Sequence, residues 1–223
     1  MTHTSHPYSH RLGILRGWKS RWFSRGKDQY RGFLKGDVLI RHYLEKKLRG
    51  NYVSAIEMER NNESLKIIIK TSRPGILIGR QGEGTVRLKK DVTRFMKKKG
   101  IDVKSFKIEI EEVRYPDTNA SLVAQMIAES LEKRFPFRRV LKQTMEKVMA
   151  NKEVKGARFM IGGRLGGADM SRKESLKQGM IPLQTFRADI DFARERAILP
   201  YGTIGIKVWI NKGEVFEESK KRE

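Results

Sequence analysis

The stretch Arg73-Pro-Gly-Ile-Leu-Ile-Gly-Arg-Gln-Gly-Glu-Gly84 sets Arg80 and Gln81 between Gly79 and Gly82. Ile76 to Ile78 form an apolar approach, and an amphipathic run follows. Glycine lets the main chain come close to phosphates, and the amides that open the next helix point at them with partial positive charge. The spelling excludes two other phosphate loops. No Gly-Lys-Ser/Thr follows the glycines, as a P-loop needs, and G-x-x-G-x-G is not the dinucleotide fingerprint G-x-G-x-x-G. The plain alternative is a packing loop with no ligand.

Outward from the loop, Leu88, Val92, Phe95 and Met96 fall on one helical face, with Lys89, Lys90, Lys97 and Lys98 on others, until Gly100. Phe106, Ile108 and Ile110 then alternate with Lys107, Glu109 and Glu111, a strand with one buried side. Upstream, Tyr52 to Glu59 and Leu65 to Thr71 read as strands joined at the turn-prone Asn61-Asn62, and Pro74-Gly75 breaks the second. Before them, Asp37 is placed to cap a helix in which Val38, Leu39, Tyr43 and Leu48 recur, ending at Gly50. The order is helix, two strands, helix, G-x-x-G, helix, strand. In that setting the loop Gly79-Arg80-Gln81-Gly82 reads as the clamp by which KH domains hold a few nucleotides of single-stranded RNA or DNA.

Tyr115-Pro116-Asp117 marks a boundary. A helix from about Asp117 to Arg134 carries Val123, Ile127 and Leu131, Pro136 interrupts, and a second helix runs to about Ala150. Strands are expected at Ala157 to Gly163, Met170 to Lys177, Thr185 to Ala197 and Thr203 to Lys212. In the last, Ile204, Ile206, Val208 and Ile210 share one face and Lys207 and Trp209 the other. The expected division is a basic and aromatic extension (1–36), a KH domain (37–112), a C-terminal α/β domain (113–214) and a charged tail (215–223).

The 223 residues carry 48 Lys+Arg against 26 Asp+Glu, a formal charge of +22, which is more than solubility needs and makes nucleic acid the expected partner. With no cysteine there is neither a disulfide nor a thiolate zinc site, and a reducing cytoplasm fits. No run is apolar enough to span a membrane, Met1 to His10 lack the apolar core of a secretory signal, and the basic residues are not gathered on one amphipathic segment.

Candidate contacts follow from this charge. The first 50 residues hold 12 basic and 3 acidic side chains, with Trp18, Trp22, Phe23, Tyr30 and Phe33 interleaved among Arg16, Lys19, Arg21, Arg25 and Arg31. Such a pattern suits stacking and phosphate contact on RNA, or aromatics packed on the body with charges in water. In Phe137-Arg138-Arg139-Val140-Leu141-Lys142, the three basic residues share one helical sector beside the stripe Phe137, Leu141, Met145 and Val148. That edge is either a solvated face or a grip on two successive phosphates. Gly162-Gly163-Arg164-Leu165-Gly166-Gly167 reads as close approach to RNA or as a tight turn or bulge. Asp189 and Asp191 could hold Mg²⁺ in a nuclease, or ion-pair with Arg187, Arg194 and Arg196. His3, His6 and His10 have chelating spacing without a second shell. No metal site is expected, and no Ser/His/Asp or Cys/His arrangement is present.

These segments, in this order, resemble the bacterial-type small-subunit ribosomal protein S-three family over nearly the whole chain. His6-Pro7, Arg11-Leu12-Gly13-Ile14, Trp18 and Trp22-Phe23 resemble its opening. R-P-G-I-L-I-G-R-Q-G-E resembles its KH loop and F-R-R-V-L-K its paired-arginine helix. G-G-R-L-G-G-A-D-M-S-R, P-L-Q-T-F-R-A-D-I-D-F and Y-G-T-I-G-I-K-V-W-I-N-K-G-E resemble its C-terminal sheet. Three places depart: Tyr8-Ser9-His10, Arg80-Gln81 where two lysines are common, and the added Gly84.

The resemblance implies an α+β fold: a type II KH domain, then an α/β domain with a four-stranded sheet packed on two helices. It implies a ribosome-bound structural protein of the subunit head, neither an enzyme nor a homo-oligomer, with no cofactor. Its implied partners are small-subunit rRNA, mRNA and the S-ten and S-fourteen families. It assigns Arg138, Arg139 and Lys142 to incoming mRNA at the entry channel, where they aid unwinding. With the basic N-terminal segment it points to rRNA contacts at Arg11, Arg16, Trp18, Lys19, Arg21, Trp22 and Arg164. The alternatives are a metal-dependent RNA-processing or DNA-repair enzyme using Asp189 and Asp191, and a free KH-type RNA-binding factor.

Overall fold

The computed structural model describes residues 6–61, 64–101 and 105–216. His3, Asn62 and the tail beyond 216 lie outside them. In chain order the elements are α1 (Pro7–His10), β1 (Ser20–Arg21), α2 (Lys27–Lys47), β2 (Val53–Arg60), β3 (Ser64–Thr71), α3 (Pro74–Ile78), α4 (Glu83–Lys98), β4 (Ser105–Glu112), α5 (Ala120–Glu132), α6 (Phe137–Met149), β5 (Gly156–Gly163), β6 (Arg172–Gly179), β7 (Ala188–Leu199) and β8 (Gly202–Glu214). They form two compact units: Trp18–Arg114, and Tyr115 onward together with the segment that ends at Gly17. The residues expected to form an N-terminal extension are thus shared between the units.

In the unit Trp18–Arg114 the sheet order is β1-β2-β3-β4. β2 and β3 are antiparallel, whereas β3 and β4 are parallel and in continuous register from Ser64↔Ser105 to Thr71↔Glu112. Parallel neighbours need a crossover, and α3, the glycine loop and α4 supply it. Ile40 and Leu44 of α2, Met58, Leu65, Ile67 and Ile69 of the sheet, and Val92 of α4 are almost wholly buried in one core. Each such side chain contributes about 1.5–3 kcal/mol on burial.

Helix α2 corrects the expected start at Asp37, because it begins ten residues earlier, at Lys27. Asp37 is not a cap but a buried mid-helix residue, and the inward face is Gly36, Asp37, Ile40, Leu44 and Leu48. Val38, expected on that face, is exposed. The first turns hold because Trp22 packs against Tyr30 and Phe33, with ring centroids 5.3 and 5.6 Å apart. The Asp37 carboxylate accepts from Trp22 Nε1 at 2.7 Å and from Arg60 Nη2 at 2.8 Å. An acid that satisfies its burial in this way is invisible to an apolar-periodicity count.

The second unit carries the sheet β6-β5-β8-β7, antiparallel throughout. Helices α5 and α6 cover one face over Phe159, Ile161, Ile204, Ile206, Val208 and Ile210, as the alternation of β8 requires. Helix α5 starts at Ala120 rather than Asp117, because the Asn119 side chain takes the amides of Ser121 and Leu122 and Asp191 takes that of Ala120. One end of the other face is also buried: Trp209, Phe192, Ala188 and Ile190 form a separate apolar cluster, while Ser175, Lys177, Arg194 and Arg196 on that face are exposed. His6 packs edge-on to Phe192 at 4.6 Å. The N-terminal segment thereby belongs to this sheet.

Candidate nucleic-acid interface

The glycine loop is a single tight turn between α3 and α4. Gly79, Gln81 and Gly82 have φ of 70°, 51° and 80°, a left-handed path that glycine tolerates best. Arg80 and Gln81 point into solvent, and Ile76, Ile78 and Val86 stand exposed on the flanking helices. Backbone and guanidinium for phosphate, with apolar surface for base faces, is a chemistry suited to single-stranded nucleic acid. Gly84 is needed for packing: a Cβ there would lie 2.3 Å from Leu77 O and 2.8 Å from Ile78 O. The added glycine therefore lets α4 start against the end of α3.

Ion pairs line the sheet of this unit. On the solvent face of the sheet, Glu57 and Glu59 bind Arg21 at 2.6 and 3.2 Å. Lys66 bonds Glu109 at 2.8 Å, and Lys70 lies 2.8 Å from Glu57 and 3.7 Å from Glu111. Those carboxylates are paired there, while Arg87, Lys89, Lys90, Lys97 and Lys98 are exposed along α4, beyond the loop, with Glu83 and the Lys47-paired Asp91 on the same helix.

Helix α6 buries Val140, Leu141, Met145 and Val148 and turns Arg138, Arg139 and Lys142 outward. Arg138 forms a forked contact with Glu174 of β6 at 3.3 and 3.4 Å while its side chain stays 72% exposed. Among the described residues, Arg139 and Lys142 have no ion-pair partner. Glu174 was not singled out in sequence, since it lies 36 residues from Arg138. The alternation Arg172, Glu174, Leu176 was the available signal.

The N-terminal candidates divide. Arg11 is corrected: it is 0% exposed, with Nε donating to Ala188 O at 2.6 Å, Nη1 to Pro7 O at 3.0 Å, and Nη2 to Leu183 O and Thr185 O at 3.2 and 2.9 Å. A guanidinium enclosed by carbonyls cannot reach a phosphate. Arg16 pairs with Asp189 at 2.6 Å. Burial alone would lower its pKa, and Asp191 and Asp189 outweigh that and raise it. Trp22 is committed to Asp37 and to packing. Trp18 is 66% exposed, Lys19 also reaches solvent, and the Arg21 guanidinium is half exposed beside Glu57. Arg164 donates to Ala168 O, Tyr201 O and Asp169, closing the glycine-rich segment as a turn around buried Leu165.

The Asp189–Asp191 pair is likewise occupied. Asp189 holds Arg16, and Asp191, 9% exposed, accepts the amides of Ala120 and Phe192 at 2.8 and 3.0 Å. Among the histidines, His6 packs on Phe192 and His10 stacks on Phe186 at 6.0 Å.

A helix-strand-strand-helix-loop-helix-strand unit with an exposed G-x-x-G turn, joined to an antiparallel α/β unit, defines an RNA-binding protein of the KH class. Residues 39–116 match the KH domain family, and residues 127–210 match the family described as ribosomal protein S3, C-terminal domain. The chain is 44% identical over 213 residues to small ribosomal subunit protein uS3 of Caldicellulosiruptor saccharolyticus, covering 96% of this chain and 93% of that one. It is 43% identical to the uS3 of Methylococcus capsulatus (95% and 91% covered) and 45% to that of Alcanivorax borkumensis (94% and 88%). The chain belongs to the uS3 family, whose members are structural proteins rather than enzymes.

Proposed function

We propose that this chain is a ribosome-bound structural constituent of the small subunit, held on rRNA beside neighbouring proteins of the S-ten and S-fourteen families. In this reading its α6 edge lines the path of incoming mRNA. The observation that carries it is the set Arg138, Arg139 and Lys142, projecting from a helix whose other face is locked into the core. A rigidly mounted row of cations holds phosphates without reading bases, as a surface that passes every message must. Unwinding needs no nucleotide of its own: the translocating ribosome pulls, and the edge holds the opened strand. The loop Gly79–Gly82 and the exposed Trp18, Lys19 and Arg21 add backbone and stacking contacts to RNA.

Ribosomes carrying Arg138→Ala, Arg139→Ala and Lys142→Ala together are expected to slow on a message with a stable hairpin and to translate an unstructured message at the normal rate. Equal slowing on both messages would overturn the assignment of α6.

A further inference from the structure

Arg172, Glu174 and Leu176 alternate on one side of β6, and Leu176 packs against the core that α6 covers. That side runs outward from an apolar anchor to a carboxylate to a guanidinium. Glu174 touches two arginines: Oε1 accepts from Arg138 Nη2 at 3.3 Å and lies 3.8 Å from Arg172 Nε. Both guanidiniums also lie over one ring, Phe137, at 5.6 Å for Arg138 and 6.0 Å for Arg172. The carboxylate is recessed at 27% exposure, whereas the Arg138 and Arg172 side chains are 72% and 54% exposed.

We propose that Arg172 is a further phosphate-holding residue of the mRNA-gripping edge, and that Glu174 is the positioning residue that sets Arg138 and Arg172 side by side. The inference rests on the reading of α6 given above. Two adjacent guanidiniums repel each other, and a carboxylate between them with a ring beneath offsets that repulsion and restricts their rotamers. Each guanidinium carries five N–H donors, and Glu174 uses at most two from either, so the outward donors remain for an incoming backbone. Stability does not account for the trio, because exposed ion pairs contribute little to folding. The edge thus widens from a single helix to a helix and a strand: Arg172 and Arg138 at one end, Arg139 and Lys142 along α6.

The test uses reconstituted small subunits carrying single variants, timed on a hairpin message and an unstructured one, with Arg139→Ala as the reference. Arg172→Ala is expected to slow passage through the hairpin about threefold and to leave the unstructured message unchanged, the scale of one exposed charge contact. Arg172→Lys, which keeps the charge, should recover part of the rate. Glu174→Ala should also slow the hairpin message, but add nothing once Arg138 and Arg172 are both alanine, since it acts through them. If Arg139→Ala slows the hairpin message and Arg172→Ala does not, this inference fails and the reading of α6 stands. If neither does, that reading fails and takes the inference with it. Further slowing by Glu174→Ala in the double-alanine background would make Glu174 a merely structural residue.

Discussion

The Asp37 carboxylate meets the Arg60 guanidinium at 2.8 Å inside the KH unit, with side chains 1% and 5% exposed. Trp22 Nε1 donates to the second carboxylate oxygen, and Arg60 lies 4.6 Å from the Phe33 ring centroid. The pair ties the long helix α2 to the end of β2 and gives the N-terminal aromatics something to pack on. Removing one partner leaves the other charge buried and alone, so Asp37→Ala or Arg60→Ala is expected to destabilise the protein by about 3–5 kcal/mol. Replacing both with Leu or Met should cost far less. Urea unfolding of the two singles and the double change measures this, and additive losses would refute it.

Arg11 offers a second stability test. Arg11→Met strips hydrogen bonds from the carbonyls of Ala188, Leu183 and Thr185 and should destabilise the C-terminal unit by about 3 kcal/mol. Arg11→Lys should not restore it, because an ammonium cannot reproduce the planar fork. Unchanged unfolding together with weakened RNA binding would put Arg11 back on the RNA surface.

For Gly84 the usual sign reverses. Glycine to alanine inside a helix ordinarily gains up to about 1 kcal/mol. Here the new methyl would press on Leu77 O and Ile78 O, so Gly84→Ala is expected to lose about 1–3 kcal/mol and to disturb the loop. A variant more stable than the parent in urea would show that α3 yields freely.

The Asp91–Lys47 contact gives a pH dependence. The hydrogen bond from Lys47 holds the Asp91 carboxyl below the usual carboxylate range, with Arg94 and Arg87 adding to the effect. A carboxyl whose pKa is lower in the folded state stabilises it above the unfolded pKa, and that contribution is lost as pH falls through the folded value. An NMR titration should find Asp91 moved up in Lys47→Met, with a shallower acid dependence of stability. An unmoved Asp91 would exclude the contact in solution.

Much of the fold was legible because it rests on local pattern. The strand β8, the amphipathic α4 and α6, and the glycine loop each announce themselves by period or by spelling. The start of α2 was not legible. Its first ten residues are held by Trp22, Phe33 and Arg60, two from outside the helix, and its mid-helix carboxylate imitates a cap. The second face of the C-terminal sheet was missed for the same reason: Trp209 looks like an outward residue until the segment His6–Arg11 is laid against its neighbours.

The candidate site divides along the same line. Sequence by itself determined the charge, the G-x-x-G turn, the three-cation edge of α6 and the family, because composition, spacing and near neighbours are properties of the chain. Only the tertiary structure decided which arginines remain available to RNA. Arg11 and Arg139 are alike as letters, yet one donates to carbonyls more than 170 residues away and the other projects into water. A guanidinium's availability depends on its desolvation and on its partners, and both come from segments that folding alone brings together.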